Sequence, residues 1–181
     1  MVQYARPDAD DTDGNWTDKD GGTTLYTSID EASADDSTTY IMVTDTGSNE
    51  VCIVRLGDVS APGSSGTYIK YKAMTEDSIF TGNPPDLKLE LLQGSTVKAT
   101  TTNASVSTSS FTDYSYTISD VSGISDWTDL KMRLTMITGD GAGMSADDRM
   151  LVTQVYLETQ DAGGSTPIAA IAMNTYRQMR N

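Results

Sequence analysis

The chain has 181 residues, enough for one domain of ordinary size with terminal arms and for a core that needs no disulfide. It carries 12 Lys and Arg against 26 Asp and Glu, giving a net charge of −14, and it has no His. That balance argues against binding nucleic acid through its phosphates and against adhesion to an anionic membrane, and the missing His excludes Ser-His and Cys-His nucleophile pairs and Cys/His zinc sites.

Met1–Pro7 reads as an N-terminal arm or first strand. The opening MVQYARPDADD has no charged-then-apolar leader, so export through a signal peptide is not expected. Asp8–Gly22 is rich in Asp and Gly. Its carboxylates suit a hard cation, with Asp11 and Asp13 as candidate calcium ligands. The register departs from a calcium loop, because the first position falls on Ala9 and the last on Asp20, where a bidentate Glu is wanted. No other cofactor is expected.

The region 8–160 reads as an all-β, antiparallel two-sheet β-sandwich, jelly-roll-like, with polar turns between short strands. Candidate strands run over Thr24–Ile29, Tyr40–Thr44, Val51–Leu56, Thr67–Met74, Leu87–Leu91, Thr96–Thr102, Tyr114–Ile118, Leu130–Met136 and Met150–Thr159. Several alternate with period two: Ile69, Tyr71 and Ala73 against Lys70 and Lys72, and Leu130, Met132 and Leu134 against Lys131 and Arg133. Leu87–Val97 is the clearest hairpin, with Gln93-Gly94-Ser95 at its turn. Cys52, the only cysteine, sits among Val51, Ile53 and Val54 and is expected to be a small buried hydrophobe. No run of about twenty apolar residues exists, so no transmembrane helix is expected.

Asp161–Thr166 reads as a linker, and Pro167–Asn181 departs from the acidic body: it has Arg177 and Arg180 and no acid. It is expected to be an extended or short helical arm, with Ser165 or Thr166 as cap and Pro167 in the first turn. Ile168, Ile171, Met173, Tyr176 and Met179 would give apolar contact to a partner, and Arg177 and Arg180 charge pairing.

Catalysis is not expected. Acids such as those of Asp30–Asp36 recur throughout the chain, so a carboxylate pair there is no signal, and a polar loop accounts for them. Exposed aromatics that stack on sugars are the alternative source of function; Trp16, Trp127, Tyr68 and Tyr156 come into question, and Trp16 and Tyr68 are kept as candidate glycan contacts. A packing role for Trp16, covering the edge of the sandwich, competes with that reading.

Arg6-Pro-Asp8, Trp16-Thr17, Leu25–Glu31, Asp35–Ile41, Trp127–Leu134 and Val152–Glu158 occur in an order that resembles a domain recurring in virion proteins of tailed bacteriophages. The resemblance covers residues 4–160. It implies a structural virion protein, above all a capsid decoration (cement) protein at the virion surface, assembled in the host cytoplasm. The implied partners are the major capsid protein or other virion proteins, with a homotrimer as the expected oligomer and neither nucleic acid nor membrane as a partner. The alternative is a glycan-binding module of a tail fibre or host-adhesion device.

Overall fold

Among the described residues eleven strands form in chain order: β1 Val2–Ala5, β2 Pro7–Thr12, β3 Thr17–Asp18, β4 Ile41–Thr44, β5 Glu50–Leu56, β6 Thr67–Glu76, β7 Asp86–Gln93, β8 Thr96–Asn103, β9 Thr112–Ile118, β10 Leu130–Ile137 and β11 Arg149–Gln160. The computed structural model describes residues 1–36, 38–63, 66–76, 84–138 and 148–161. The expected docking residues Ile168, Ile171, Met173, Tyr176, Arg177, Met179 and Arg180 lie outside the described residues.

The strands make two antiparallel sheets, one ordered β3-β4-β11-β6-β9, with β1 also on β11, and one ordered β2-β5-β10-β7-β8. From β4 onward the chain changes sheet at every connection except the β7–β8 hairpin. The resulting orders, β4-β11-β6-β9 facing β5-β10-β7-β8, are those of an eight-stranded jelly roll. The expected β-sandwich is therefore what the chain forms.

Alternation along each strand fixes which side packs. Ile69, Tyr71 and Ala73 of β6 face Leu89, Leu91, Met132 and Leu134 of the opposite sheet across a continuous buried core. Each of the Ile, Leu and Met side chains contributes about 1.5–3 kcal/mol by leaving water. Cys52 is fully buried among them, and burial pushes its thiol well above the ordinary range, as expected of an inert core cysteine. The β7–β8 turn is the two-residue Gly94-Ser95 loop, with Gly94 at φ 59. A left-handed residue there suits the hairpin twist.

Three local readings are corrected. Thr24–Ile29 is no strand: Tyr26–Ser28 forms a 3-10 turn, because both carboxylate oxygens of Asp10 accept the N–H groups of Leu25 and Tyr26 at 2.9 Å each. The acidic stretch from Asp8 is no loop at its start but the edge strand β2, paired with β5 through two register shifts. Of the two forms expected for Met1–Pro7, arm or first strand, the chain takes the strand. β1 pairs with the C-terminal half of β11, the Met1 ammonium lies 3.3 Å from Asp161, and the Asp161 N–H donates to the Met1 carbonyl at 2.8 Å. Asp161 also bridges Pro62, so the first residue assigned to the linker belongs to the sandwich.

Candidate ligand-binding face

The outer face of the β11–β6–β9 sheet is set by one irregularity. The β11 register on β6 shifts between Val152 and Gln154, leaving Thr153 as an extra residue. Met150 and Val152 point inward before the bulge, and Val155, Leu157 and Thr159 point inward after it. A strand without that bulge would turn Gln154, Tyr156 and Glu158 into the core, since a one-residue slip exchanges faces. The bulge turns them outward instead. Thr153 is fully buried, and its Oγ1 donates to the Thr39 carbonyl at 2.8 Å, which holds the irregularity in place.

Strand register then places the outer-face residues in rows across the sheet. Tyr4, Glu158, Tyr68 and Thr117 form one row, through the pairings Tyr4 to Glu158, Glu158 to Tyr68 and Tyr68 to Thr117. Tyr156, Lys70 and Ser115 form the next, and Gln154, Lys72 and Asp113 the third. Arg6, in the link between β1 and β2, extends the second row: its guanidinium carbon lies 5.1 Å from the ring centres of both Tyr4 and Tyr156. The two rings meet edge to face at 5.8 Å. The Lys70 ammonium lies 5.1 Å over the Tyr68 ring. Both distances are within the range of cation–π attraction.

Between these rows is a shallow depression of about 270 Å³, lined by Lys70, Tyr71, Asp113, Tyr114, Ser115, Gln154 and Tyr156. Burial raises the Tyr156 hydroxyl above its ordinary range, Glu158 adds to that, and Arg6 opposes it. The phenol is therefore neutral at physiological pH and free to donate or accept. On one side the loop from Glu31 to Thr39 closes over the third row: Asp36 holds the Lys72 ammonium at 2.7 Å, and Gln154 Nε2 donates to the Glu31 carbonyl at 2.6 Å. Within that loop Glu31 and Asp35 both accept the Thr39 hydroxyl. These carboxylates brace a polar loop.

The residues proposed from sequence separate on this map. Tyr68 is half-buried on the outer face beside Lys70. Trp16 is not there: it is 1% exposed within the core, and its indole N–H is buried without a hydrogen-bond partner. A sugar contact at Trp16 is replaced by a packing role, because no ring face is left to stack on. Asp11 holds the Lys131 ammonium at 2.9 Å on the other sheet, while the Asp13 carbonyl accepts the main-chain N–H of Trp16 at 3.0 Å. Among the described residues no three Asp, Glu or Cys side chains converge on a point where a metal ion could sit. Sequence reasoning passed over Tyr4 and Arg6 and set Tyr156 aside. The run Met150-Leu-Val-Thr-Gln-Val-Tyr-Leu157 signals the break, since Val152 and Val155 cannot share a face in a regular strand.

No family model matches this chain, and no curated protein matches it. Among solved structures, it is similar to a Stig cyclase, Fisc, of Fischerella sp. TAU at 17% identity and TM-score 0.47, covering 89% of this chain and 74% of the cyclase. It is similar to the CBM22-1–GH10 modules of endo-1,4-β-D-xylanase 10B of Clostridium thermocellum at 17% identity and TM-score 0.44, covering 92% of this chain and 30% of that one. It is also similar to the xylan-binding module CBM15 at 11% identity and TM-score 0.40, covering 90% of this chain and 99% of the module. None of these three is a virion protein. The fold assignment rests on the strand order and not on these likenesses.

Proposed function

We propose that the chain is a glycan-binding module and that the outer face of the β11–β6–β9 sheet is its binding surface. The observation that carries this reading is the tyrosine-bordered depression beside Tyr156. Sugar rings offer apolar C–H faces and hydroxyl edges, and this face offers matching groups. Tyr4 is 49% exposed. Tyr68 and Tyr156 are half-buried, with amphipathic rings at the surface. Lys70, Asp113, Ser115 and Gln154 supply donors and acceptors within the depression. Asp113 is the single carboxylate among its lining residues, whereas glycoside hydrolysis ordinarily uses a pair, so the depression suits binding better than cleavage.

A glycan array probed with the purified chain tests this reading. Retention of at least one polysaccharide class is expected, with about tenfold weaker binding by Tyr156→Ala, the loss of a good stacking contact of roughly 1.4 kcal/mol. Silence from a folded chain sinks the reading.

A virion role is the second reading, carried by the sequence resemblance over residues 4–160. It joins the first if the module belongs to a tail fibre or host-adhesion device. In the capsid-decoration form, docking on the major capsid protein falls to Pro167–Asn181. A chain ending at Ala162 should then fold and fail to join particles, and normal incorporation would remove that form of the reading.

A further inference from the structure

We infer that the glycan taken by this face is acidic, a uronate-bearing polysaccharide whose carboxylates meet Arg6 and Lys70; the inference rests on the glycan-binding reading above. Its basis is the pairing of charges. The chain has 26 acids for 12 bases, so a base on its surface readily finds a carboxylate. On this face Lys72 is held by Asp36 at 2.7 Å and Arg149 by Glu76 at 3.7 Å. Arg6 and Lys70 make no ion pair among the described residues. They are instead held on tyrosine rings, Arg6 between Tyr4 and Tyr156 and Lys70 over Tyr68.

These two cations flank Tyr156 in one row, because Lys70 is its cross-strand partner and Arg6 packs on its ring. Nη1 of Arg6 is buried with no hydrogen-bond partner. Arg6 as a whole is half-buried, so the part of its guanidinium that faces solvent stays open to an acceptor, and a carboxylate is the group that suits it best. Glu158 and Asp113 occupy the adjoining rows without pairing to either cation, which leaves them as acceptors for sugar hydroxyls. A uronate ring presents what this pattern asks for: a C–H face, hydroxyls and one carboxylate. Both a uronate polymer and a polyanion without sugar rings face the repulsion of a chain at −14, and only the uronate adds ring stacking to the charge contact to offset it.

The test uses the full chain against polygalacturonate, alginate and hyaluronate, each paired with its carboxyl-reduced derivative, with poly-L-glutamate as a ring-free polyanion. At least one acidic polymer should bind about tenfold tighter than its reduced form, the worth of a charge-assisted hydrogen bond. Lys70→Gln and Arg6→Gln should each lose several-fold more affinity for the acidic form than for the reduced form. Lys70→Gln keeps the test meaningful if Arg6→Gln unfolds the β1–β2 link, and thermal melts identify that case. Equal binding of acidic and reduced forms overturns the inference and leaves the glycan reading standing. Tight binding of poly-L-glutamate overturns it in favour of an acidic peptide. No binding of any acidic polymer overturns it as well, and neutral polysaccharides then decide whether the glycan reading survives.

Discussion

On the outer face of the β5–β10–β7 sheet the cations hold carboxylates, whereas on the opposite outer face Arg6 and Lys70 hold tyrosine rings. Glu90 accepts from Arg133 at 2.7 Å and lies 3.0 Å from the Lys88 ammonium, and Lys131 holds Asp11 at 2.9 Å. Arg55, at the edge of that face, makes no ion pair among the described residues but shares a rim depression with Asp8, Asp58 and Asp129. Charges matched within a face stabilise the sheet and present little to a ligand. Charges left unmatched beside aromatic rings contribute little to folding and stay available to a ligand. The same sandwich thus has one self-satisfied face and one that we propose is receptive, and the difference lies in which side chains the register brings together.

The largest expected effect belongs to neither face. Trp16→Ala should destabilise the chain by about 3–5 kcal/mol in urea unfolding, as truncation of a buried large side chain does. Trp16→Phe should cost much less, because it also removes the unpaired indole N–H. A Trp16→Ala protein of full stability that has lost glycan binding would return Trp16 to the ligand surface.

Next comes the self-satisfied face. Glu90→Ala should cost about 2 kcal/mol, since it leaves Arg133 and Lys88 without their acceptor, and should leave glycan affinity unchanged. The sign with pH follows from the same contact. The hydrogen bond from Arg133 holds the Glu90 carboxyl below its ordinary range when folded. Its contribution is therefore present above the unfolded value of about 4.3 and is lost as pH falls through the lower folded value. Melts of Glu90→Gln should fall less steeply than wild type below about pH 4.3. An unchanged acid limb would break the assignment.

Smaller still is Tyr68→Ala on the receptive face. It should weaken glycan binding several-fold through loss of the ring under Lys70 and shift stability by about 1 kcal/mol or less, as is usual for partly exposed positions. Smallest is Asp11→Asn, an exposed pair whose loss should cost between about 0 and 1 kcal/mol and leave binding alone. If Asp11→Asn altered glycan binding more than Tyr68→Ala did, the two faces would have been assigned the wrong way round.

The strands with strong alternation were legible because burial on one side imprints period two: β6, β7 and β10 stand where Ile69, Leu89 and Leu134 announce them. β2 was illegible because an edge strand tolerates Asp at exposed positions, and Asp8-Ala-Asp-Asp-Thr12 carries no apolar alternation. Thr24–Ile29 misled because its apolar residues are buried as they would be in a strand, while Asp10, fifteen residues from Leu25, takes the backbone out of any ladder. Of the candidate site, Tyr68 was legible from its place on β6, and Trp16 could not be separated from it by residue type.

By itself, then, the sequence determined an acidic, histidine-free, all-β chain with a buried lone cysteine and inward-facing Leu, Ile and Met, because composition and local period act without reference to distant residues. Only the tertiary structure decided which aromatics are covered and which cations go unpaired. Those depend on long-range register: the Thr153 bulge that turns Tyr156 outward, and the pairing of β1 with β11 that brings Tyr4 and Arg6 from the start of the chain onto a strand near its other end.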